Sequence, residues 1–175
     1  TPLEAAAAIV IADALGLKID YLAMTSRNTK ESFAVLGPAL VISSRTKNDL
    51  SYVLKNKPKG EGWGNVAKKM GMHPGDFNKM RVQGGSFESV CWMNFLNSKY
   101  GFPQKDYERL SKQGMSELEI VLAAVKCEGK SAGLDKAAKE VVAARPKKGG
   151  AETSGPGNSG GKGGGKTGGK GGGRD

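Results

Sequence analysis

From Thr1 to about residue 148 the apolar residues recur at three- and four-residue intervals, and nowhere do they alternate convincingly with a period of two. That spacing puts them on one side of an α-helix and provides no strand from which to build a sheet, so the chain is predicted to be all-α. The expected helices are Leu3–Leu15, Ile19–Ser26, Lys30–Arg45, Asn48–Lys55, Gly64–Met70, Pro74–Val82, Phe87–Tyr100, Pro103–Gln113, Ser116–Cys127 and Leu134–Ala144, parted by short Gly, Pro, Ser or Asn breaks. Gly37-Pro38 should bend or divide the third of these, because proline removes a backbone donor and its ring collides with the preceding turn.

The pattern stops at the end of the chain. Residues 149–175 hold 14 glycines and one apolar residue, Ala151, whereas the 148 residues before them are about 44% apolar. A body of that size can bury one core, while a glycine-rich segment cannot offset the entropy of ordering its backbone. The expected organisation is therefore an all-α domain over 1–148 and a disordered Gly/Lys-rich tail over 149–175. No run reaches the roughly 18 uninterrupted apolar residues of a bilayer span, so integral membrane insertion is not expected.

Charge is as unevenly placed as glycine. The net charge is +10, of which residues 45–82 contribute +6 and residues 145–175 contribute +5, leaving −1 for everything else. Clustered cations favour polyanionic partners, through long-range attraction and the release of condensed counterions. In the tail, Lys162, Lys166, Lys170 and Arg174 recur every four residues with Lys147 and Lys148 ahead of them, as on a mobile cationic arm. The chain opens on Thr-Pro; either a leader has been removed, which implies a periplasmic or extracellular protein, or the chain has been trimmed, which leaves a cytoplasmic one open. Export is the expectation.

An internal repeat is also expected, at an offset of 86 residues. Asp20-Tyr21 falls on Asp106-Tyr107, Glu31 on Glu117, Val35-Leu36 on Val121-Leu122, and Asp49 on Asp135. Leu15-Gly16 and Tyr100-Gly101 agree if one residue is inserted. Two helical units, about 1–55 and 86–144, would stack into one core, with the basic segment 56–85 as connector.

That connector runs Gly62-Trp63-Gly64-Asn65-Val66-Ala67-Lys68-Lys69-Met70-Gly71-Met72-His73-Pro74-Gly75-Asp76-Phe77-Asn78-Lys79-Met80-Arg81. From Trp63 onward it resembles the helix-turn-helix of DNA-binding proteins. Ala67 stands where close helix crossing needs a small residue, Gly71 where the turn needs glycine, and Val66, Met70, Met72, Phe77 and Met80 where both helices seat. The resemblance implies that His73, Asn78 and Lys79 face a groove and that Lys68, Lys69 and Arg81 meet phosphates. Gly-Trp-Gly-x-Val-Ala-Lys together with a Gly/Lys-rich tail also resembles a group of small exported bacterial helical proteins without an established activity. That likeness implies export and a helical array and brings no catalytic residues with it. If both resemblances hold, the nucleic acid is extracellular.

Several features mimic chemistry. Gly160–Thr167 matches the phosphate-loop pattern literally, but that loop works only between a buried strand and a helix, and here repetition of glycine and lysine generates the match. The single histidine, His73, and the two cysteines, Cys91 and Cys127, are too few and too far apart for a closed zinc site. One disulfide between Cys91 and Cys127 is possible in an exported protein. Trp63, Trp92, Tyr21, Tyr52, Tyr100 and Tyr107 could stack on bases, although their places on apolar helical faces favour the core. The expected function is thus non-enzymatic binding of a polyanion, nucleic acid and DNA first, with no cofactor. A self-associating structural or cell-surface subunit, able to form homo-oligomers or filaments, is one alternative, and a cytoplasmic helix-turn-helix regulator is another.

Overall fold

The computed structural model describes residues 1–73 and 85–146. It divides the chain into two units, Thr1–Arg145 and Pro146–Asp175. Among the described residues there are nine helices and no strand: α1 Pro2–Leu15, α2 Ile19–Thr29, α3 Phe33–Thr46, α4 Leu50–Lys55, α5 Trp63–Lys69, α6 Phe87–Tyr100, α7 Gln104–Lys112, α8 Glu117–Lys126 and α9 Leu134–Ala143. The expected helix Pro74–Val82 lies outside the described residues.

Two departures from expectation have identifiable causes. Lys30 takes a left-handed backbone (φ 59) that ends α2, so α3 starts at Phe33 after the N-cap Ser32 rather than at Lys30. Gly37-Pro38 does not divide α3, which runs unbroken through both. A Cβ on Gly37 would stand 2.9 Å from Trp92 Cζ2 and 3.4 Å from Phe95 Cε2, so packing against α6 holds the helix together where local propensity would break it.

Helix caps recur along the chain, but not in the register expected. The N-caps Thr1 and Ser86 are 85 apart, as are the left-handed C-caps Gly16 and Gly101. So are the N-caps Lys18 and Pro103. From there the N-caps Ser32 and Ser116, and then Asp49 and Gly133, are 84 apart. Burial follows this register and not the offset of 86: Tyr107, 1% exposed, matches Leu22 at 0%, whereas Tyr21 is 44% exposed. Asp20-Tyr21 and Asp106-Tyr107, and likewise Val35-Leu36 and Val121-Leu122, therefore agree in letters while differing in burial. What repeats is the helix-capping and burial pattern.

The contacts between halves are reciprocal. α1 packs on α8 and α6 on α3, while α1 and α6 pack on one another, as in a pair related by a two-fold axis. Side-chain hydrogen bonds join helices at the matching places. Glu4 Oε2 accepts from the Phe33 N–H at 2.8 Å, joining α1 to the start of α3, and its counterpart Ser89 donates to Glu117 Oε1 at 3.3 Å at the start of α8. Lys99 of α6 pairs with Asp13 of α1 at 3.1 Å.

The end of the folded unit is tied down by Arg145. Its Nε donates to Glu119 Oε1 at 2.6 Å and its Nη2 to Oε2 at 2.8 Å, while Ser116 and Glu119 form a capping box at the start of α8. The Arg145 guanidinium, with help from the Ser116 N–H and hydroxyl and against the effect of burial, holds the Glu119 carboxyl down at about 2 instead of 4.5. A depressed carboxylate stabilises the fold above its unfolded pKa, and that stability is lost as pH falls from about 4.5 through about 2. The Glu119 side chain is 11% exposed but Arg145 is 43% exposed, so solvent screens part of the effect. Glu119→Gln should lower stability at neutral pH by about 2 kcal/mol. Thermal melts from pH 7 to 2 should show wild type and variant converging across that window.

Candidate nucleic-acid interface

Lys68 and Lys69 close the last turn of α5 and are both exposed. Helix α5 is positioned by its other side. Trp63, Val66 and Ala67 are buried, the Trp63 N–H donates to Glu88 Oε1 of α6 at 3.0 Å, and a Cβ on Gly64 would meet Phe87 Cβ at 3.6 Å. That is ordinary van der Waals spacing, so α5 lies against α6 with Lys68 and Lys69 on its outward side. After the C-cap Met70, Gly71 adopts φ 88 and the Met72 N–H returns to the Ala67 carbonyl at 2.9 Å. The chain then turns away with Met72 buried and His73 exposed. A helix and a glycine turn thus stand where they are expected, while the second helix of the expected helix-turn-helix lies outside the described residues. Asn78, Lys79 and Arg81 lie outside the described residues, as do Lys147, Lys148, Lys162, Lys166, Lys170 and Arg174.

The fold brings further cations to the same corner. Helices α4 and α5 both pack on α3, and Asn48 Nδ2 lies 3.9 Å from Met70 Sδ, so the α3–α4 turn with Arg45 and Lys47 abuts the end of α5. Between α4 and α5, Lys57 Nζ stands 5.2 Å over the Trp63 ring, with exposed Lys55 and Lys59 two residues to either side in the chain. Residues 45–73 thus carry seven basic and two acidic side chains, a net +5. Only Lys69, at 2.7 Å from Glu61, forms an ion pair there among the described residues. Of the twelve described lysines and arginines elsewhere, five are paired with a carboxylate: Lys99, Arg109, Lys126, Lys130 and Arg145. Helix ends explain part of this corner, since Arg45, Lys55, Lys68 and Lys69 sit in last turns where a cation is favoured. Lys47, Lys57 and Lys59 lie beyond those turns, and the sequence motif did not single them out.

Compared with known family models, curated proteins and solved structures, the chain matches none.

The remaining reactive side chains are placed as structure. Cys91 is 1% exposed in the α6 core, and burial, then the Glu88 carboxylate, push its thiol up. Cys127, half-buried at the end of α8, donates to the Ala124 carbonyl at 3.5 Å. Both thiols are free, so the disulfide considered from the sequence is not formed; Cys91 faces the core while Cys127 is engaged at its own helix end. Trp63, Trp92 and Tyr107 are core residues, at 3%, 1% and 1% exposure, whereas Tyr21 and Tyr52 are exposed. No group of three His, Cys, Asp or Glu side chains able to hold a metal occurs among the described residues, and no helix among them is long and apolar enough to cross a membrane.

Proposed function

We propose that this chain is a non-enzymatic polyanion-binding protein whose ligand is nucleic acid, bound by the corner from Arg45 to Lys69 and by the lysines and arginine of the tail. The observation that carries the reading is the net +5 over residues 45–73 with a single internal ion pair, while five of the twelve described lysines and arginines elsewhere are paired with a carboxylate. Cations held close together without partners repel one another, and a polyanion relieves that repulsion while releasing its own counterions. Lys68 and Lys69 belong to the corner directly, and His73 follows the turn that leads out of it. The tail contributes a second set of charges at high local concentration.

The test is a salt titration of the full chain with nucleic acid. Neutralising three or four phosphates predicts that affinity falls by about 100-fold between 50 and 200 mM salt. Replacing Lys55, Lys59 and Lys68 by Gln should flatten the slope of log Kd against log salt by about 2 to 3 while leaving the fold intact, because all three side chains are exposed. An affinity that barely responds to salt would overturn the proposal.

A further inference from the structure

Within the basic corner one large aromatic side chain is turned outward. Tyr52 of α4 is 52% exposed, while Trp63, beneath the same corner, is 3% exposed. Lys55 and Asn56 follow Tyr52 by three and four residues and so share its helix face, and both are exposed. Asn56 Nδ2 donates to the Tyr52 carbonyl at 2.9 Å, so the polar end of α4 closes on its own backbone and leaves the phenol ring uncovered. Packing does not require an aromatic here. At the 84-residue spacing of the caps, the counterpart of Tyr52 in α9 is Lys136, which is likewise exposed.

An exposed ring among unpaired cations is the arrangement that holds unstacked bases: phosphates run along the lysines while a base lies flat on the ring. A duplex keeps its base faces stacked inside and offers the ring nothing. We infer that the corner binds single-stranded nucleic acid in preference to duplex, with Tyr52 as the stacking platform and Lys55 and Lys59 on the adjacent phosphates. This rests on the polyanion reading and names the ligand class for the same site.

The experiment compares the full chain with its Tyr52→Ala and Tyr52→Phe variants on a labelled oligonucleotide of about 20 nucleotides, single-stranded and as its duplex, across a salt series. The expected result is tighter binding of the single strand. Tyr52→Ala should lose about tenfold on it, with duplex affinity unchanged, and Tyr52→Phe should retain wild-type affinity. Stacking is not ionic, so the Tyr52→Ala salt slope should run parallel to wild type. Salt-dependent binding in which Tyr52→Ala weakens both ligands equally, or neither, overturns the single-strand inference and leaves the polyanion reading standing. Absence of salt-dependent binding to either ligand overturns both. Melting temperatures of the three proteins should coincide, since the ring is exposed.

Discussion

Replacing Gly129 by Ala should cost about 3 kcal/mol or more and lower the melting temperature by roughly 6–12 °C. Gly129 has φ 71, in the left-handed region that an L side chain resists. Its N–H donates to the Ala124 carbonyl at 2.8 Å and closes the end of α8. An added methyl group would overlap Tyr100 Cβ outright and stand 3.0 Å from Cγ and 3.3 Å from the carbonyl oxygen, so neither a rotamer change nor a small tilt relieves it. Gly101→Ala is the control: φ there is 62, but nothing lies within 4 Å of the added carbon, so only backbone strain of about 1 kcal/mol should appear. Equal losses in the two variants, measured by denaturant unfolding, would show that the turn after α8 does not press on α6 in the way described.

Gly37→Val carries the second large effect, again about 3 kcal/mol. A glycine inside a helix normally loses to alanine by about 1 kcal/mol, so the sign of Gly37→Ala is itself diagnostic. Here the new carbon would lie 2.9 Å and 3.2 Å from the Trp92 ring, which is 1% exposed and fixed edge-on against Phe95 at 5.4 Å. Gly37→Ala is therefore expected to destabilise. Trimming the ring should restore part of the loss: Trp92→Leu combined with Gly37→Val should be less than additive by at least about 1 kcal/mol. The corresponding positions of α1 and α8 carry neither a glycine nor a tryptophan. In the register of the caps, Ala7 of α1 stands where α6 has Trp92, and Val121 of α8 where α3 has Gly37.

Helix existence was legible in the sequence because a period of 3.6 in apolar residues has few other uses, and the ends marked by Gly16, Gly101 and Ser116 followed from local chemistry that needs no partner. The start of α3 was less legible. It depends on a lysine adopting a left-handed backbone, which propensity does not foresee, and its continuity through Pro38 depends on α6. The register expected from sequence identities is not the one in which the helix caps recur. Identities such as Asp20-Tyr21 and Asp106-Tyr107 coincide in letters, while equivalent positions are defined by which side is buried.

The same division holds at the candidate site. Lys68, Lys69 and the glycine turn at Gly71 could be named from their order along the chain. Composition likewise revealed the charge excess of residues 45–82 and of the tail. Which cations lie together, and which already have carboxylate partners, depended on α3, α4 and α5 meeting, because a charge acts over ångströms in space and not over residues along the chain. The same holds for the aromatic residues. Trp63 and Tyr52 look alike on a list of apolar positions, and only the packing of helix on helix decided that one is core and the other faces solvent.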